Sequence, residues 1–176
     1  MIKKIKFLVK ALYHRIISQT KLAKLVGVDF GEHCHFMTRA WGSEPYLIKM
    51  GNNVETSSGV TFVTHDGSMK VIRNIYTEYN NSDILGRIII GNNVFIGINA
   101  TILQGSIIGD NVIIGAGSLV KGELQSNSVY AGVPAKYICS IAEYVEKNKE
   151  NFMQTKYMNP TEKKNYLMQK YNLKAE

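Results

Sequence analysis

Four histidines, His14, His33, His35 and His65, are the side chains of this sequence best suited to moving a proton near neutral pH. His33 and His35 stand two apart, a spacing that on a strand points both the same way. With His65 they make three imidazoles, a set that could ligate a metal, line a cleft or face solvent. The two cysteines, Cys34 and Cys139, are too few for a disulfide framework or a four-cysteine zinc site. A histidine placed beside a reacting hydroxyl could take its proton as a general base. His65 is the histidine singled out by its surroundings, because it stands just before the one long break in a regular repeat.

That repeat has a period of six. Ile84, Ile90, Ile96, Ile102, Ile108, Ile114 and Val120 start consecutive hexads. Ile88, Val94, Ala100, Ser106, Val112, Ser118 and Leu124 follow them by four, mostly small or branched. Met50, Thr56 and Phe62 continue the pattern upstream, then Phe30 and Phe36, with a phase slip of two residues around Gly42-Ser43. Residues Ser68 to Asp83 fall outside it. A six-residue period suits neither a lone amphipathic helix nor a hairpin. It suits a prism whose three faces each take one strand and one turn, about eighteen residues per coil. The starting aliphatics point inward, and Gly or Asn accepts the turn dihedrals.

Composition sets the bounds. The chain has 176 residues, 45% hydrophobic and 20% charged, which is globular and fits one domain with appendages. Residues 1–25 carry seven Lys and Arg and no acid, whereas residues 26–140 hold seven basic and nine acidic side chains. The middle is therefore no nucleic-acid-binding surface. No apolar run approaches a transmembrane span and no signal peptide is evident, so a cytoplasmic location is expected.

The hexads, the segment Thr61–Gly67 (TFVTHDG) and the closing Ser126–Lys136 (SNSVYAGVPAK) resemble the hexapeptide-repeat acyltransferases. The likeness is greatest to capsular, exopolysaccharide and O-antigen acetyltransferases and to galactoside and maltose acetyltransferases, over roughly residues 28–140. The resemblance implies a left-handed parallel β-helix, acetyl-CoA as acyl donor, no metal and a homotrimer with sites between subunits. It makes His65 the general base in a ternary-complex mechanism. It places the backbone of Ile98 at the thioester, and Gly97, Gly115 and Ala116 along the pantetheine arm. Lys121 matches a position near the pantetheine and pyrophosphate, usually Thr, and Lys136 a basic residue at the adenosine phosphates. The γ-class carbonic anhydrases bind zinc through three histidines on a related solenoid, but their spacing is absent here.

The implied organisation is a basic amphipathic helix over residues 1–27, a β-helix over 28–138 and a helical extension over 139–176. The first segment would cover the open end of the solenoid or attach to an anionic membrane surface. Ser68–Asp83 would be a flap shaping the acceptor pocket, with Arg73, Tyr76, Tyr79, Trp41 and Glu44 as candidate sugar contacts. Ser140–Asn151 reads as a helix, and Asn159-Pro160 as the cap and first turn of another. The expected activity is O-acetylation of a sugar of a bacterial surface polysaccharide or its precursor, free or lipid-linked. The alternatives are acetylation of an antibiotic and a non-catalytic trimeric binding protein.

Overall fold

The computed structural model describes residues 17–173. Most of the expected N-terminal basic segment, residues 1–16, lies outside the described residues. The hexads form short strands wound round three faces. The first face stacks β1 (Asp29–Phe30), β3 (Ile48–Met50), β6 (Ile88–Ile90), β9 (Ile107–Ile108) and β12 (Glu123–Leu124). The second stacks β2 (His35–Phe36), β4 (Val54–Thr56), β7 (Val94–Ile96), β10 (Val112–Ile114), β13 (Ser128–Ala131) and β14 (Lys136–Ser140). The third holds β5 (Thr61–Val63), β8 (Thr101–Leu103) and β11 (Leu119–Val120). All pairs are parallel except β13 with β14, which closes the stack antiparallel.

Ile90 lies opposite Ile108 and Ile96 opposite Ile114, the eighteen-residue coil that the hexads demand. Three coils depart from it. Phe36 pairs with Thr56, twenty residues on, so the slip at Gly42-Ser43 lengthens the first coil by two. Met50 pairs with Ile90, forty residues on, because the chain leaves the solenoid after β5 and rejoins it at β6. Ile84, expected to start a hexad, sits on the returning arm of this excursion and is exposed. Leu124 pairs with Ile108, sixteen residues back. The last coil has lost two residues around Lys121-Gly122, and Leu124 takes an inward aliphatic place rather than the small one.

The inward side chains pack as columns. Ile96, Ile102, Ile108, Ile114 and Val120 are all at most 2% exposed, each burial worth about 1.5–3 kcal/mol. Aromatic rings fill the longer first coil: Trp41 stacks on Phe62 at 5.0 Å with its plane tilted by 7°, and Phe36 meets Trp41 edge-on. Trp41 is thus core, 3% exposed, and not a sugar contact. At the corner between the first and second faces, Asn53, Asn93, Asn111 and Asn127 all take positive φ. The amide of Asn93 donates to Asn111 and that of Asn111 to Asn127, both at 2.8 Å. His33 shares this left-handed turn geometry at φ 56. It is a turn residue, not a strand residue, and so does not point with His35, which lies on β2.

The helix Gln19–Val26 begins at Ser18, whose hydroxyl accepts from Lys21 N, and ends at Gly27 with φ 101. It buries Leu22 and Ala23, and Thr20 Oγ1 accepts from Phe36 N at 3.3 Å, which joins it to the first coil. The chain divides into two units, one reaching to Tyr144 and the other from Val145 onward. The helix Ile141–Asn148 crosses that division. The second unit holds the helix Pro160–Lys170, capped by a reciprocal pair between Asn159 and Glu162. Among the described residues no helix is long and apolar enough to cross a membrane.

Candidate active site

The excursion fixes His65 by its two arms. Gly86 N donates to Thr64 O at 3.0 Å and Asp66 N to Ile84 O at 2.9 Å, an antiparallel bridge around His65 and Leu85. Beyond this stem the excursion folds into the helix Met69–Ile75 and a short 3-10 turn at Thr77–Tyr79. Arg73 donates to the Ser82 carbonyl and to the Asp83 carboxylate, both at 2.6 Å, and so ties the helix to the returning arm. Its guanidinium holds the loop shut. Tyr76 and Tyr79 form an exposed edge-to-face pair at 6.3 Å.

The lengthened first coil delivers the second component. Gly42, at φ 75, lies so close to β5 that a Cβ would meet Thr64 Oγ1 at 2.7 Å and Phe62 O at 3.1 Å. Two residues on, Glu44 N donates to Thr64 Oγ1 at 3.3 Å, and that hydroxyl donates to Glu44 Oε2 at 2.7 Å. The same carboxylate oxygen lies 3.2 Å from His65 Nδ1. A carboxylate only accepts, so Nδ1 is the donor of this pair, and in the neutral ring the lone pair is then on Nε2. His65 is 44% exposed and Glu44 20%: an open imidazole backed by a more sheltered acid. Sequence reasoning named Glu44 only as a sugar contact. Its spacing to His65 carries no signal, because the two meet through the solenoid's winding.

In front of His65 lies a cleft of about 290 Å³ lined by Val63, Asp66, Leu103, Gln104 and Lys121. Hydrogen bonds from the backbone and side chain of Ser68 hold the Asp66 carboxyl below its ordinary value, with smaller help from the charge of Lys121. Lys121 therefore belongs to the corner of His65, after the third face. The other expected donor contacts line the preceding corner, between the second and third faces.

On that preceding corner Gly97 sits over Gly115, where a Cβ would meet Ala116 N at 2.6 Å, and Gly115 sits over Ala131 at 2.8 Å. The next rung alone accounts for both glycines. Gly117 N donates to Ile98 O at 2.8 Å, so Ile98 and Ala116, both exposed, lie on successive rungs. Ala131, one rung further, pairs with Lys136, whose side chain is exposed. At about 4.8 Å per rung, Lys136, on the strand beyond Ala131, stands about 14 Å along a smooth corner from Ile98. A narrow, flat path ending at a cation fits a linear thiol arm with phosphates at its far end.

The sequence profile of the bacterial transferase hexapeptide family (six repeats) matches residues 87–122. Protein CapG of Staphylococcus aureus is 48% identical over 163 residues, covering 91% of this chain and 92% of its own. The chain belongs to the hexapeptide-repeat acyltransferases, and its prism is their left-handed parallel β-helix. A protein of Escherichia coli K12 named as a lipopolysaccharide biosynthesis O-acetyl transferase, WbbJ, is 51% identical over 51 residues, 29% of this chain and 26% of its own. A serine acetyltransferase from Brucella abortus, solved in complex with coenzyme A, superposes with a TM-score of 0.50 at 25% identity. That match covers 65% of this chain and 40% of the other.

Proposed function

We propose that this chain is an acetyl-CoA-dependent O-acetyltransferase acting, as a homotrimer, on a sugar of a bacterial surface polysaccharide or its precursor. The observation that carries the reading is the contact between Glu44 and His65, an imidazole that itself lines a cleft. The acceptor hydroxyl gives its proton to Nε2 of His65 as its oxygen attacks the thioester carbonyl carbon. The C–O bond forms, the C–S bond breaks, and the leaving thiolate takes the proton back from His65. Glu44 holds the ring in the required tautomer and balances the transient imidazolium. Ile98 and Lys136 bound the donor path, and the coenzyme A complex of the serine acetyltransferase supports a CoA donor. The lipopolysaccharide O-acetyl transferase named above supports the polysaccharide acceptor.

His65 and Ile98 lie on different corners of one prism, so the base of one subunit would face the donor path of the next. The test is acetyl transfer from acetyl-CoA to a panel of nucleotide sugars, lipid-linked oligosaccharides and polymers. His65→Ala is expected to lower the rate by about 10²–10⁴ while leaving CoA affinity nearly unchanged. An alanine variant within a few-fold of the parent would remove His65 from this role.

A further inference from the structure

The corner that carries Ile98 runs the length of the solenoid. Its rungs, from the N-terminal end, are Thr38–Arg39, Ser58–Gly59, Ile98–Asn99, Ala116–Gly117 and Ala131–Gly132. They are tied together by bonds such as Asn99 N to Ser58 O at 3.0 Å and Gly117 N to Ile98 O at 2.8 Å. The proposed donor path uses the C-terminal part alone. With phosphates at Lys136 and the thioester at Ile98, the acyl group points toward the N-terminal rungs.

His65 supplies the other coordinate. It follows β5 directly, in the coil that contains Ser58 and Gly59, and therefore stands one rung N-terminal to Ile98. Prisms set side by side about a three-fold axis keep equal heights, so a neighbour's His65 meets this corner at Ser58–Gly59. An acceptor hydroxyl between base and thioester occupies that level. The remainder of the acceptor then has the rungs above it to lie on.

At those rungs the surface opens into a cleft of about 460 Å³, lined by Gln19, Met37, Arg39, Ala40, Gly59 and Thr61. Met37, 48% exposed, and Ala40 offer an apolar ledge. The Gln19 amide, the Thr61 hydroxyl and the Arg39 guanidinium give it a polar rim. A pyranose has the matching pair of surfaces, an apolar face and an edge of hydroxyls. A Cβ on Gly59 would run into the Asn99 side chain, which keeps the floor between this cleft and Ile98 low. We propose that this cleft is the acceptor subsite, holding the glycosyl residue next to the one acetylated. The proposal rests on the acetyltransferase reading above.

Met37→Trp and Gln19→Trp each fill the cleft without touching His65, Glu44, Ile98 or Lys136. The variants are placed as the sole copy of the chain in its cells, and the acetyl content of the purified surface polysaccharide is measured by NMR. CoA affinity and melting temperature are measured on the purified proteins. Either variant, if it melts like the parent, is expected to lower acetyl content about tenfold or more while CoA affinity stays within about twofold. Parental acetyl content in such a variant overturns the subsite. Parental acetyl content in cells lacking the chain altogether overturns the function reading instead, and the subsite with it.

Discussion

Glu44 Oε2 lies 3.2 Å from His65 Nδ1, and the two meet because the first coil of the solenoid is two residues longer than the regular one. Without the slip at Gly42-Ser43 the regular repeat would carry the chain past Thr64 on the strand path. With it, the carboxylate folds back over the residue that precedes the imidazole.

Glu44 acts through His65, so its removal should alter turnover more than donor binding. Glu44→Gln retains a hydrogen-bonding oxygen but loses the charge, and is expected to lower kcat by about tenfold to a hundredfold with KM for acetyl-CoA little changed. Glu44→Asp, which restores the charge on a shorter arm, should recover part of the loss. Steady-state kinetics separates this from a structural role, since a destabilised fold would lower the active fraction and leave kcat per folded enzyme intact.

Trp41 should matter to stability alone. It is 3% exposed, lies face to face with Phe62, and its Nε1 has no hydrogen-bond partner among the described residues. Trp41→Ala opens a cavity at the widened end of the core and is expected to cost about 3–5 kcal/mol. Trp41→Phe keeps the stack and removes the unpaired N–H, so it should cost much less. Urea denaturation of the two variants would contradict this packing argument if both lost the same amount.

Asp66 gives a pH signature. Its folded carboxyl titrates below the ordinary 3.8 because Ser68 hydrogen-bonds the ionised form. The stabilisation is present in full above the unfolded value and is lost as pH falls through the folded one. Asp66→Asn should therefore melt below the parent at pH 7, and the gap should close as the pH is taken below 3.8. A gap independent of pH would assign the effect to geometry rather than charge.

The parts of this molecule set by local spacing were legible in the sequence. Ile90 to Val120 recur every six residues and all point inward, and Asn159-Pro160 caps its helix as its residue types require. The parts set by register were not. Ile84 continues the spacing by coincidence, since the returning arm of the excursion carries an isoleucine six residues before Ile90. Leu124 and Trp41 take inward places because two coils differ in length, which single-residue counting does not reveal. Glu44 joins His65 across 21 residues through the same change of length. His33 and His35 part because His33 itself takes the left-handed turn that precedes β2.

Lys136 offers the sharpest test of the donor path. It begins β14, opposite Ala131, at the C-terminal end of the corner that carries Ala116 and Ile98. The charge is exposed, so reversing it should leave the fold intact. What it should disturb is the encounter with phosphate, where an ammonium gains a charge-assisted hydrogen bond and a carboxylate repels. Lys136→Glu is expected to raise KM for acetyl-CoA by about tenfold or more, with a much smaller effect on acetyl-pantetheine, which has no phosphate. Added salt should narrow the difference between parent and variant, because the interaction is solvent-exposed and screened. Equal losses with the full and the truncated donor would place the phosphates away from Lys136 and break the alignment of the corner with the donor.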